Sequence, residues 1–377
     1  MRPTTGYYLG LMSGTSLDGI DAVIVDLDTQ PIKLIACVSR PIPAELKQSL
    51  LALTQPGDNE IERLGVADVQ FSQLQAEIVN DLLQHAQLKS SQISAIGSHG
   101  QTIRHRPGGT TPFSLQIGDP NTLAELTGIC VAADFRRRDL AAGGQGAPLV
   151  PAFHAECFAR ISAERVIVNI GGMANITQLR KDPDQPIIGY DTGPGNILID
   201  SWIERHLQRE YDHSGTWARS GTIDTPLLAR LLRLDYFSQA PPKTTGREQF
   251  NLEWIDQQLA ALGRPVAAAD VQATLTELTA RSIADAILKQ QLLSAEVYLC
   301  GGGAHNDYLL ERLRILLSAF SIETTQALGI PADWVEACAF AWLAKRCVAQ
   351  LPGNMPSVTG ARGERILGGI YPGASHL

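Results

Sequence analysis

Two segments far apart in the chain share one local grammar. LMSGTSLDGIDAV starts at Leu11 and VNIGGMANITQL at Val168; each runs an apolar stretch into a glycine-bearing turn and out again into a β-branched stretch. A connection that short makes its two flanking runs antiparallel neighbours. Helical patterns follow each unit, so the echo predicts a duplicated α/β domain pair facing a cleft. No tandem repeat at solenoid spacing accompanies it.

The remaining periodicity fills in both halves. In the first, strands are expected over Tyr7 to Met12, Ile20 to Leu27 and Ile32 to Val38. Helices follow over Ala44 to Leu53 and Glu60 to Gln87, where Ile61, Leu64, Phe71, Leu74, Ile78 and Leu82 keep a three-and-four spacing. Shorter strands are expected over Ile93 to Gly97, Phe113 to Ile117 and Ile129 to Ala133, with a helix over Asn121 to Thr127. AAGGQGAP (Ala141 to Pro148) is the expected hinge, which puts residues 1–140 and the tail from about 352 to 377 in one domain and 141–351 in the other. The second half repeats the pattern. Strands are expected over Arg165 to Ile170, Ala174 to Gln178, Ile187 to Tyr190, Val297 to Cys300 and Arg365 to Leu367. Helices are expected over Ile197 to Leu207, Asn251 to Leu262, Asp270 to Leu293 and Asp333 to Leu351. The stretch from Arg209 to Glu248, with PPKTTGRE, reads as a mobile loop region near a cleft.

Composition excludes several classes. The 377 residues carry 31 basic and 39 acidic side chains, a formal charge of −8, which disfavours broad nucleic-acid or anionic-membrane binding. No apolar run approaches the length of a spanning helix, and Arg2 with Tyr7 to Met12 is too little for a signal peptide. The six cysteines (Cys37, Cys130, Cys157, Cys300, Cys338, Cys347) show no zinc-site spacing and read as reduced, mostly buried thiols of a cytoplasmic protein.

Five motifs carry chemistry. Gly14-Thr15-Ser16-Leu17-Asp18-Gly19 puts backbone N–H groups and two hydroxyls in one turn, an anion nest or an ordinary hairpin. Asp18 there is placed to hold Mg²⁺ through water. Its glycine spacing approximates a Walker A loop, but Ile20-Asp21 stands where Lys-Ser/Thr is required. Asn169-Ile170-Gly171-Gly172-Met173-Ala174-Asn175 is a second such turn, equally readable as a tight hairpin. Asp191-Thr192-Gly193-Pro194-Gly195-Asn196 ends at a helix start; Pro194 suits a first turn, and Asp191 is either a general base or a cap. Gly301-Gly302-Gly303-Ala304-His305-Asn306 allows close approach of a flat ligand or is a helix entry. Finally Ser98, His99, Gln101, Arg104, Asp119, Asn121, Asp134 and Arg136 form a polar set suited to sugar hydroxyls, amides and a carboxylate. Arg136-Arg137-Arg138 reads chiefly as a solvated face.

In this spacing LGLMSGTSLDGIDA, GSHGQT, VNIGGMANIT, DTGPGN and CGGGAHN closely resemble the anhydro-N-acetylmuramic acid kinases, across essentially the whole chain from Gly10 to about Gly369. The resemblance implies an α/β fold of two RNase H-like domains, of the actin and sugar-kinase type, around a nucleotide cleft, with a homodimer formed largely through the second domain. It implies ATP and Mg²⁺, a 1,6-anhydro amino-sugar substrate opened by water and phosphorylated on O6, and a place in peptidoglycan recycling. Residue by residue, Gly14, Thr15, Ser16, Leu17, Asp18, Gly19, Ile20 and Asp21 look like the ATP motif. Asn169, Gly171 and Gly172 look like a second phosphate loop, and Gly301, Gly302 and Gly303 like an adenosine site. Asp191 looks like the base for water. His99, Arg104, Asp134 and Glu336 are the sugar-site candidates, the last because a carboxylate within VEACAFAWLA needs a partner. Two other readings stay open: a kinase for an intact hydroxyl of a sugar or acid, and a non-enzymatic nucleotide-switched protein.

Overall fold

The computed structural model describes residues 6–182, 184–241, 243–292 and 295–373. The chain forms two compact units, one of residues 1–157 and 334–377 and the other of residues 158–333. The division therefore falls at 157/158 and 333/334 rather than at 140/141 and 351/352. The glycine segment expected as a hinge lies inside the first unit, where its backbone is tied to the C-terminal segment: Gln145 N–H donates to Thr359 O at 2.9 Å and Arg362 N–H to Ala142 O at 2.9 Å.

Each unit is built on the same sheet. In the first, β1 (Tyr7–Met12), β2 (Gly19–Asp26) and β3 (Lys33–Pro41) form an antiparallel meander, and β4 (Ile93–Ser98) joins β1 in parallel. A two-stranded ribbon of β5 (Gln101–Arg106) and β6 (Phe113–Ile117) stands apart from this sheet. β7 (Val131–Ala133) extends the main sheet in parallel beyond β4. In the second unit β8 (Arg165–Ile170), β9 (Met173–Leu179) and β10 (Ile188–Pro194) form the meander, and β11 (Glu296–Cys300) and β12 (Ser321–Thr324) follow in parallel on the far side of β8. β13 (Gly369–Tyr371) closes the edge of the first sheet against β7. The order 3-2-1-4-5, with only the second strand reversed, recurs in both sheets. That is the RNase H-like topology, so the echo of glycine turns in the sequence is a duplication of architecture.

Alternation decides how the first sheet is covered. Leu9, Leu11, Ile20, Ala22, Ile24 and Ile96 belong to a core shared with the helices Ala44–Leu53, Glu60–His85 and Pro120–Thr127. On the opposite face Gly10 and Gly97 lie side by side in β1 and β4. There the helix Val335–Val348 sits so close that a Cβ on Gly97 would fall 2.7 Å from the Phe340 carbonyl carbon, and one on Gly10 2.8 Å from Ala341 N. This packing gives the last long helix to the first unit, although the glycine-punctuated sequence assigned it to the second. One core of the second unit gathers Trp202, Leu227, Tyr236, Phe250, Ile255, Leu275 and Leu278 between its helices.

Several local expectations are corrected. The final strand is Gly369–Tyr371, not Arg365 to Leu367. DFRRRD runs into a short helix, Arg137–Ala141, and two helices that sequence patterning missed, Val150–Phe158 and Asp307–Leu316, are present. No disulfide joins the six cysteines; Cys300, Cys338 and Cys347 are buried and the others half-buried. Among the described residues no helix is long and apolar enough to cross a membrane.

Candidate active site

In the first unit, the turn after β1 is held from beneath by the β5–β6 ribbon. Gln101 at the start of β5 is buried; its amide donates to Gly14 O at 3.2 Å, and the Ser13 hydroxyl donates to its Oε1 at 2.7 Å. Leu17 takes a left-handed φ of 60° and drops its side chain into the core, leaving Thr15 and Ser16 exposed. Asp18 is exposed too, with the Lys47 ammonium 3.5 Å away. The turn is thus anchored by its ends and presents hydroxyls and one carboxylate outward.

A polar cluster sits beyond the end of β4. His99 follows that strand, Arg136 follows β7, and Glu336 opens the helix Val335–Val348. Arg136 Nη2 donates to His99 Nε2 at 2.8 Å, while His99 Nδ1 donates to Gly100 O at 2.8 Å, which assigns the neutral tautomer. Burial, with the Arg136 charge beside it, pushes the His99 imidazole down to about 3, and its ring packs on Phe340 at 4.8 Å. Burial likewise lowers His105 to about 4 and Arg136 to about 10. Glu336 is pushed up by burial, pulled back by Arg136 and raised further by Asp21. The Asp21 charge on β2 thus reaches Glu336.

The other two sugar-site candidates are engaged elsewhere. Arg104 is ion-paired with Glu60. Asp134, at a left-handed φ of 62°, pairs with Arg137 at 2.6 Å. Arg136, not they, is the residue that contacts His99. Its neighbours Arg137 and Arg138 are exposed as a solvated run should be, while Arg136, already in the polar set, is the one of the triplet that turns inward.

In the second unit, three glycine segments converge at one end of the sheet. Asn196 N–H donates to Gly171 O at 2.8 Å, and Gly195 and Ile197 N–H groups donate to Gly172 O at 2.9 and 3.1 Å, joining the β8–β9 turn to the start of the helix Ile197–Leu207. Gly301 follows β11, whose Cys300 is paired with Asn169 of β8. A Cβ on Gly303 would lie 2.7 Å from Ile170 Cβ and 3.0 Å from Asn196 Oδ1, so the triple-glycine segment sits against the turn. By contrast a Cβ on Gly172 would meet nothing within 4 Å, and one on Gly302 only Asn196 Nδ2 at 3.8 Å. Those two glycines leave their backbone open to approach.

Asp191 lies on this side of the sheet, in β10 rather than in a loop. The strand continues to Pro194, which ends it three residues before the helix instead of opening the helix. Its register against β9 slips between Asp191 and Gly193. A bulge at that point re-aims the side chains around it. The segment expected as a mobile loop is hydrogen-bonded to Asp191: Asp191 N–H donates to Lys243 O at 3.2 Å and Thr245 N–H to its Oδ2 at 3.1 Å. Lys243 Nζ is committed to Tyr236 O at 2.9 Å and lies 4.5 Å from that ring's centroid. Burial raises the Asp191 carboxyl to about 6; the Thr245 N–H lowers it, Glu248 raises it and Lys243 lowers it. A carboxyl poised there is ionised at neutral pH and basic enough to take a proton from water. As a general base Asp191 would act in its ionised form, so turnover is expected to fall as pH drops through about 6, with a slope of one proton. A pH profile flat down to pH values near the ordinary carboxylate range would remove Asp191 from the base role.

Comparison with known proteins agrees along the whole length. The family model for anhydro-N-acetylmuramic acid kinase matches residues 6–373. An anhydro-N-acetylmuramic acid kinase of Coxiella burnetii is 52% identical over 366 residues, covering 97% of each chain. One of Shewanella amazonensis is 53% identical over 367 residues, covering 97% of this chain and 99% of the other. Among solved structures, component A of the (R)-2-hydroxyglutaryl-CoA dehydratase of Acidaminococcus fermentans aligns with a TM-score of 0.46 at 11% identity, over 90% of this chain and 100% of the other. With both RNase H-like sheets, both glycine turns and the bulged aspartate in place, the chain belongs to the anhydro-N-acetylmuramic acid kinase family.

Proposed function

We propose that the protein uses ATP and water to convert 1,6-anhydro-N-acetylmuramic acid into N-acetylmuramic acid 6-phosphate and ADP, as a cytoplasmic homodimer in peptidoglycan recycling. The observation that carries the reading is Asp191: a carboxyl raised by burial and set on a bulge of the strand that leads to the glycine turn.

The chemistry assigns each group a task. Asp191 accepts a proton from water as the water oxygen bonds to C1 and the C1–O6 bond breaks. The anomeric centre passes through oxocarbenium character, which a carboxylate favours. O6 leaves with the electron pair and bonds to the γ-phosphorus of ATP, and ADP departs. The phosphoryl group captures the leaving oxygen, so no second acid is needed. Open backbone at Gly172 and the outward hydroxyls of Thr15 and Ser16 suit phosphate oxygens, and the Gly301–Gly303 segment suits adenosine. His99, Arg136 and Glu336 suit the sugar, with Arg136 as the cation for the lactyl carboxylate.

Mg²⁺, when bound, neutralises charge on the triphosphate. Among the described residues no three His, Cys, Asp or Glu side chains converge on a metal position. The donors fit an ion carried in by the nucleotide and touched through water by the exposed carboxylate of Asp18.

The test is direct. Incubation with Mg-ATP and the anhydro sugar in ¹⁸O-water should yield ADP and a sugar phosphate carrying ¹⁸O at C1. A phosphorylated product with no label at C1 would mean transfer to an intact hydroxyl, the competing sugar-kinase reading. ATP-driven polymerisation without product would mean a nucleotide-switched assembly instead.

A further inference from the structure

Asp139, the last residue of DFRRRD, is fully buried, is none of the candidate site residues, and among the described residues forms no salt bridge. Its carboxylate is held by three neutral donors: Gly146 N–H on Oδ2 at 2.8 Å, and Asn354 Nδ2 and Thr359 Oγ1 on Oδ1, both at 2.8 Å. A neutral amide at 139 would turn a donor toward one of them, so a carboxyl group satisfies the set where an amide does not. A buried carboxylate is costly to keep, and a loop alone can be closed with neutral groups.

What this arrangement fixes is the peptide at Gly146. Its N–H sits on Asp139, and its carbonyl oxygen accepts from Arg136 Nη1 at 2.8 Å. The other fork of the same guanidinium, Nη2, rests on His99. The glycine loop is set around this peptide, with left-handed φ values of 86° at Gly143 and 69° at Gly146 and with Gly144 N–H on Asp139 O at 2.9 Å. One short relay therefore runs from the C-terminal residues Asn354 and Thr359, through Asp139 and Gly146, to Arg136.

We propose that Asp139 is a positioning residue that aims the Arg136 guanidinium, and that the C-terminal segment Asn354 to Thr359 is thereby part of the device that selects an acid sugar. The inference rests on the reading of His99, Arg136 and Glu336 as the sugar pocket. Asp139 touches no substrate; it decides whether the cation meets the substrate carboxylate in bidentate geometry.

The experiment uses the full chain with the anhydro sugar and ATP, measuring both KM values, kcat and thermal melting for D139N, R136M and the double variant. D139N should raise the sugar KM at least about tenfold, with ATP KM and kcat within about threefold of the parent. Added to R136M it should change the sugar KM by less than about twofold, because the residue it positions is already gone. A role confined to folding would lower the melting temperature without this split. If D139N does not fold, T359V removes a single donor at constant shape and should raise the sugar KM about two- to fivefold. A raised KM in R136M with an unchanged one in D139N and T359V overturns the positioning role alone. So do D139N and R136M effects that multiply. An R136M enzyme with the parental sugar KM removes the pocket reading, and the positioning role falls with it.

Discussion

Asp191→Asn is expected to bind ATP as the parent does and to lose at least about 10²-fold in turnover, the lower end of what a general base contributes. The substitution keeps the acceptor that Thr245 N–H needs and changes little else in shape. What it removes is the ability to take a proton at the moment water attacks C1. It should not destabilise the fold by losing a charge. The folded carboxyl titrates near 6, above its ordinary value, so its contribution to stability is full below the ordinary carboxylate range and is lost as pH rises through about 6. At neutral pH the asparagine variant should therefore melt no lower than the parent. Isothermal titration with a non-hydrolysable ATP analogue, steady-state turnover and a melting curve check the three parts. Turnover within about tenfold of the parent would place the base elsewhere, with Glu336 the next carboxylate to replace.

What could be read before folding, and what could not, divides along physical lines. The two meanders and their turns were legible because strand alternation and a short glycine connection are local signals. Asp191 was legible for the same reason, standing at the end of an apolar run. Its setting was not: Gly193 and Pro194 carry turn chemistry, yet they finish a bulged strand because β9 supplies the pairing. The Lys243–Thr245 backbone that holds Asp191 is 52 to 54 residues away in sequence, and PPKTTGRE carries no pattern that points to it. Arg136 stood in the polar set, but nothing local singled it out from a triplet whose other two members are solvated. Gln101 stood in the polar set without a role, since nothing local says that its amide will reach back to Gly14. Arg104 and Asp134 were plausible by type, but ion pairs with Glu60 and Arg137 occupy them. The last helix was assigned to the wrong unit because which sheet a helix covers is fixed by long-range packing, here by two glycines roughly 240 and 330 residues upstream of it.

Those two glycines tie the fold to the proposed sugar pocket, and Gly97→Ala tests the link. The added methyl would stand 2.7 Å from the Phe340 carbonyl carbon and 3.1 Å from Ala344 Cβ. Both belong to the helix Val335–Val348, and the nearest obstruction is backbone that no rotamer change can clear. The helix must retreat from the sheet, opening gaps along Ala337, Phe340, Ala341 and Ala344, all of them buried. Overpacking of this kind costs roughly 1–3 kcal/mol or more, and the accompanying loss of close packing adds to it. The same helix carries Glu336 at its start and the Phe340 ring against His99, so the sugar KM should rise along with the loss of stability. Gly65→Ala is the matched control. Gly65 is an exposed residue inside the helix Glu60–His85, and a Cβ there meets nothing within 4 Å, so the change should stabilise by roughly 0.5–1 kcal/mol through helix propensity. Melting curves on the two variants should move in opposite directions. A Gly97→Ala protein that melts with the parent and keeps its sugar KM would mean that the helix does not lie on β1 and β4 as closely as this fold requires.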